Sequence, residues 1–216
     1  MRRYLGFAAL AVLSSGLLIG GARASVLVHV VQNDPNADNA SIVPSPTLPS
    51  ADFFSPDINF NANTPRSFAA FLNNPVFFNV QNGFDATLTV ANLFLRITGS
   101  TFLNTGANSF VVGHDDGLVL TFADPSLGTV VNTPGATSFT TTPFNVNAPA
   151  AGLYAFDLKY SECCGLPANL VFQINGAPVG TTVPEPGSIA LFGIGLAGIE
   201  AARRRHRRST RLALDA

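Results

Sequence analysis

Two adjacent carboxylates, Asp115 and Asp116, stand in the stretch FVVGHDDGLVLTF, between apolar segments that both read as strands. Like charges about 5 Å apart repel by roughly 3 kcal/mol at an effective dielectric of 20. Three kinds of chemistry suit such a pair. On an exposed hairpin turn over 114–117 it is decoration, because Asp and Gly are favoured turn residues and water cuts the repulsion below about 1 kcal/mol. As a hard-cation site it offers Ca²⁺ two of the several oxygens that ion takes at roughly 2.3–2.6 Å. As part of a catalytic metal centre it would recruit His114. That third reading fails on inventory, because His29 is the only other histidine in residues 25–182 and catalytic metals usually take three protein ligands.

The other reactive groups are few. Cys163 and Cys164 are the only cysteines, and they are neighbours. They can close a ring with each other, pair with another molecule or stay reduced, and all three states remain open. Glu162 and Lys159 lie close by, but there is no CxxC spacing or helix start to lower a thiol pKa. No Gly-x-Ser-x-Gly elbow occurs, and no histidine stands near a nucleophile as a general base. The chain is therefore expected not to be an enzyme.

The elements that must position these groups read as strands. Residues 33–66, rich in Asn, Pro, Ser and Asp, read as one long loop after a first strand at Val26–Val31. Short apolar segments then recur between turn signals at 76–80, 87–97, 109–112, Leu118–Phe122, 137–141, 153–160 and 170–174. In LYAFDLKY, Leu153, Ala155, Asp157 and Lys159 face one way, and Tyr154, Phe156, Leu158 and Tyr160 the other. Val, Thr and Phe enrichment supports strands, and no helix-period segment of useful length lies between the two ends. Strands at this spacing, separated by Gly, Pro and Asn turns, predict an all-β fold, an antiparallel sandwich or barrel.

Both ends read as addresses. In residues 1–24, Arg2 and Arg3 precede an apolar core, and Ala22 and Ala24 frame a small-x-small site for signal peptidase before Ser25. A retained anchor is the alternative. At the other end Pro184, Glu185 and Pro186 precede an apolar run over 188–199, followed by Arg203, Arg204, Arg205, Arg207 and Arg208. Twelve helical residues span about 18 Å, short of a hydrocarbon core of roughly 30 Å. Extension through Ala202 and snorkelling arginines narrow that gap. Arginines after a late anchor should stay cytoplasmic, with the domain outside. The order of Pro-Glu-Pro, glycine-containing apolar helix and arginine cluster resembles the PEP-CTERM sorting signal of exported bacterial proteins. That resemblance implies cleavage near Pro-Glu-Pro by an exosortase, a membrane transpeptidase-like protease.

With the ends set aside, the charge balance changes. The whole chain has a formal net charge of -1, but nine of its 12 basic residues lie in the end segments. Residues 25–182 hold only Arg66, Arg96 and Lys159 against ten acids. Nucleic acid is excluded as a partner, because phosphate binding needs clustered Lys and Arg. Cations and neutral sugars remain compatible. The expected organisation is a signal peptide (1–24), an exported domain (25–182), a sorting signal with a transmembrane helix (183–208) and a cytoplasmic tail (209–216).

Within the exported domain, residues 97–174 resemble the PA14 β-sandwich family, a jelly roll, and its flocculin/GLEYA-type lectin branch. Gly106, Phe110, Asp115, Asp116, Gly117, Leu120, Gly152, Tyr154, Tyr160 and Leu170 fall at the places that pattern requires. The resemblance implies a cis Asp115–Asp116 peptide, with both carboxylates gripping one Ca²⁺ that binds sugar hydroxyls. It implies further ligands from 161–169, where Glu162 and Asn169 carry suitable oxygens. The function expected is that of an exported cell-surface or exopolysaccharide-matrix (biofilm) protein, with a Ca²⁺-assisted carbohydrate-binding or adhesion domain. The alternative is a structural envelope or matrix protein with no ligand site.

Overall fold

The computed structural model describes residues 25–180. Strand β1 (Val26–Val31) buries Val26, Val28 and Val30 and exposes Leu27 and His29, the alternation its sequence predicts. It pairs antiparallel with β2 (Ser50–Ser55) on one side and β5 (Leu93–Leu103) on the other. The sheet extends through β10 (Gly152–Glu162), β7 (Leu118–Phe122) and β8 (Thr129–Thr133), with β4 (Phe78–Gln81) on the far edge beside β2. A second sheet runs in the order β12 (Ala177–Pro178), β11 (Ala168–Ile174), β6 (Gly106–Asp115) and β9 (Thr140–Ala148). Short β3 (Asn59–Ala62) also pairs with β11.

The two sheets face each other across one apolar core that draws on both. Phe110 of β6 meets Phe122 of β7 edge-on at 6.0 Å, and Phe156 of β10 meets Phe172 of β11 at 5.9 Å. Such edge-to-face pairs add roughly 0.5–1.5 kcal/mol each beyond their buried area. The fold is an all-β antiparallel sandwich, as expected. On β10, Tyr154, Phe156, Leu158 and Tyr160 are the buried face, as the alternation predicts. The one described helix, α1 (Phe68–Phe71), is a single turn capped by Ser67, whose Oγ accepts the Ala70 N–H.

Several boundaries differ from expectation. Residues 33–66 are not one loop, because they contain β2 and β3. Their Ser, Asp and Asn content hides short strands that exist because β1 and β11, distant in sequence, pair with them. Strand β8 was not expected. The segments expected at 87–97 and 137–141 form strands several residues later, as β5 and β9. Strands β6 and β7 do not form a hairpin, since each belongs to a different sheet and the Asp115–Gly117 segment crosses between them. The expected signal peptide with Ala22 and Ala24, the sorting segment with its helix and arginines, and the tail lie outside the described residues. Among the described residues no helix is long and apolar enough to cross a membrane.

Candidate functional site: an acidic cavity at the sheet crossing

The crossing is tight because Gly117 has no side chain. A Cβ there would lie 2.0 Å from the Pro134 carbonyl oxygen and 2.7 Å from Ser161 Oγ. The Ser161 N–H donates to the Gly117 carbonyl at 3.0 Å, which ties the crossing to the end of β10. Asp116, just before it, takes a left-handed backbone with φ 60°. Asp is among the few residues other than Gly that visit this region at modest cost. The turn is made this way and not by a cis linkage, because the only cis peptide among the described residues is Leu166–Pro167. The cis Asp115–Asp116 bond implied by the PA14 resemblance is thus corrected.

The pair is not decoration on an exposed turn either, since Asp115 is 6% and Asp116 5% exposed. The Asp116 carboxylate ties two loops together, with Oδ1 accepting the Thr137 N–H at 3.1 Å and Oδ2 the Cys163 N–H at 2.8 Å. Its carbonyl oxygen accepts from His114 Nδ1 at 2.6 Å, which places the proton on that nitrogen. His114 is fully buried, on the core face of β6, and Nε2 lies 3.4 Å from Thr142 Oγ1. His29 is far from it, on the outer face of the other sheet, 2.7 Å from Asp52.

Asp115 points to the outer face of β6, where burial first and then the charge of Asp116 raise its carboxyl pKa, against the smaller lowering effect of the Asp116 and Phe139 backbone N–H groups and His114. Its Oδ2 is buried with no hydrogen-bond partner. Glu162, at the end of β10, is the third acid. Burial foremost, then the charge of Asp116, pushes its carboxyl up to about 8, although Tyr160 donates a hydrogen bond to Oε2 at 3.0 Å. Burial likewise pushes the Tyr160 hydroxyl well above its ordinary value, and Glu162 adds to it. The charges acting on Glu162 are therefore both negative.

The three acids line one open cavity of about 580 Å³, between the loop carrying Thr137 and Phe139 and the loop carrying Cys164 to Pro167. Cys163 and Cys164 form a disulfide with each other, which resolves the three open states. Their sulfurs lie near an Asp116 oxygen, but a disulfide has no thiolate with which to ligate a metal. Asn169 does not line this cavity. It stands on β11 directly opposite Asp115 in register and lines an adjoining cavity of about 270 Å³ with Asn61, Asn63, Phe139 and Pro167.

Of the residues expected from sequence, Asp115, Asp116 and Glu162 line one cavity, although their oxygens do not all lie within 4.8 Å of one another, and Asn169 sits one strand away. Thr137, Phe139 and Asn61 were missed. Their roles arise from loop and strand placement, and no local spacing marks them.

The address at the C-terminus is recognised independently. Residues 182–208 match the PEP-CTERM protein-sorting motif. A PEP-CTERM motif implies exosortase processing and export to the cell envelope or surface. No curated protein matches the chain. Among solved structures it is similar to a PA14 sugar-binding domain from an RTX adhesin, at 17% identity and TM-score 0.48, covering 73% of this chain and 94% of that one. It is also similar to the PA14 domain of the MpAFP antifreeze protein, at 16% identity and TM-score 0.49, covering 71% and 81%. A third is the A domain of Epithelial Adhesin 6 from Candida glabrata in complex with Galb1-3GlcNAc, at 11% identity and TM-score 0.49, covering 74% and 84%.

Proposed function

We propose that this PEP-CTERM protein is delivered to the cell surface or an exopolysaccharide matrix, where its sandwich binds glycans with the help of Ca²⁺. The observation that carries the reading is Asp115 Oδ2, a buried carboxylate oxygen without a partner, in an open cavity that already concentrates two further acids. A buried, unpartnered charge is costly, and a hard cation is the partner whose chemistry suits an all-oxygen donor set. Asp115 and Asp116 would hold the ion, with Glu162 across the cavity and the Asn169 carboxamide on the flanking strand. Each Asp116 oxygen accepts one backbone N–H and keeps a lone pair free. Bound Ca²⁺ would supply a Lewis-acidic point to which vicinal sugar hydroxyls can coordinate. Before export the C-terminal helix would hold the chain in the membrane, with residues 209–216 cytoplasmic.

A second reading, a structural surface protein with no ligand site, is favoured by one feature. Both oxygens of Asp116 already clasp loops, so the acid has a role without any ion. Thermal unfolding of the purified full-length chain separates the two. Ligand at a hundredfold over Kd stabilises by about 2.7 kcal/mol, or roughly 5–11 °C for a domain of this size. Calcium should raise Tm by that order over chelator, and Asp115→Asn, which leaves the Asp116 clasp intact, should abolish the rise. Superimposable melting curves with calcium and with chelator would leave the structural reading.

A further inference from the structure

The loop that follows β1 reads Asp34-Pro35-Asn36-Ala37-Asp38-Asn39. Side-chain oxygens at its first, third and fifth places repeat the spacing that opens an EF-hand calcium loop, where alternate side chains turn toward one ion. Spacing alone makes no site, because acids on a polar loop are mostly just solvated. Asp34 is not solvated. It is 1% exposed, and its Oδ2 is buried with no hydrogen-bond partner. Oδ1 accepts the Asn36 N–H at 3.0 Å, which turns the carboxylate into the loop.

The neighbouring groups that could satisfy Oδ2 are committed elsewhere. Pro35 has no N–H. The Ala37 N–H donates to the Asp34 carbonyl at 3.3 Å, the Asn39 N–H to the Asn36 carbonyl at 2.9 Å and the Ala40 N–H to the Pro134 carbonyl at 2.8 Å. Neither ion pair among the described residues involves Asp34. A carboxylate oxygen buried without a partner is costly, and a hard cation is the partner that removes the cost. The loop is also held at both ends. The Asp34 N–H donates to the Asn92 carbonyl at 2.9 Å, and Asn39 bridges to Gly135. Half-buried Asn36 and exposed Asp38 make no side-chain hydrogen bond among the described residues, so their oxygens are free for an ion.

We propose that the loop over 34–38 is a hard-cation site of its own, at which Asp34 Oδ2, the Asn36 carboxamide oxygen and the Asp38 carboxylate hold Ca²⁺, with water completing the shell. None of the three residues lines the acidic cavity. The sixth and twelfth places carry Asn39 and Ser45, where a full EF-hand loop has Gly and a bidentate Glu. The site therefore belongs with the weak extracellular modules, with Kd on the order of 1 mM. The acidic cavity, with three acids to this loop's two, fills at lower calcium, so the rise in Tm that depends on Asp115 is read below about 0.1 mM and this one above it. The loop site needs neither a glycan nor the acidic cavity, and the test sets both aside. The full-length Asp115→Asn chain is melted in chelator and in about 10 mM calcium, with sodium chloride matching the ionic strength. A tenfold excess over Kd raises Tm by about 3–6 °C for a domain of this size. Adding Asp38→Asn should erase that rise and leave Tm in chelator unchanged, because the exposed carboxylate has no other partner. No rise at 10 mM calcium means that a proton or water satisfies Asp34, and it overturns the site. A rise that survives Asp38→Asn places the ion elsewhere and overturns it as well. Either result leaves the Asp115-dependent response at low calcium standing, and loss of that response leaves the loop site standing.

Discussion

At the residue scale, Glu162 makes the acidic cavity sensitive to pH. Its carboxyl rises from 4.5 to about 8 in the folded domain, because burial and Asp116 disfavour the charge. A raised folded pKa means the native state holds the proton more tightly than the unfolded chain. The resulting stability is complete below about pH 4.5 and is lost as pH climbs through 8. Asp115 shifts the same way. The opposite shifts, at Asp85 and Asp124, are lowered from 3.8 and so act below this window. In chelator, Tm should therefore fall steadily between pH 5 and 8, and Glu162→Gln should flatten much of that slope. A wild-type Tm that is flat or rising over this interval would contradict the assignment. The acid pair itself was legible in the sequence as a place of possible cation chemistry. Its burial was not, because that depends on loops at 134–139 and 163–167 folding over it.

At the scale of elements, the crossing from β6 to β7 is the joint on which the site depends. Gly117→Ala puts a methyl group against the Pro134 carbonyl, a backbone atom that cannot rotate away. Forcing an extra carbon into a packed site costs about 1–3 kcal/mol, or roughly 2–12 °C in Tm. Gly113→Ala meets the Phe139 ring at 3.3 Å, a side chain that can yield by tenths of an ångström, and Val171 Cβ only at an ordinary 3.8 Å, so its Tm should drop less. Thermal melts of the two variants side by side check the order, and an equal or reversed ranking would contradict it. Strands with clean alternation, β1, β7 and β10, were readable from sequence because each buries one apolar face. β2 and β3 were not, since their composition is that of a loop and distant partners make them strands.

At the scale of the whole molecule, one chain carries a sorting segment and a separately folded sandwich. The PEP-CTERM motif, with Pro184-Glu185-Pro186 at its head, implies processing by an exosortase. Replacing these three residues with alanine should leave the protein at its precursor mass in membranes of the producing cell, without altering the sandwich's melting temperature. Mass spectrometry of membrane and released fractions measures this, and normal processing of the variant would remove the motif from its assigned role.

The sequence by itself determined the sorting signal, the acidic balance between the ends and the all-β class. Each is a contiguous or summed property: a run of residues in order, a count of charges, a period of two along a strand. Only the tertiary structure decided that Asp115 and Asp116 are buried across a sheet crossing, that Glu162 joins them, and that Cys163 closes on Cys164. It alone set Asn61, Asn169 and Asp115 in one row. That row draws on residues more than a hundred positions apart, brought together by strand pairing, and nothing local in the chain encodes such a meeting.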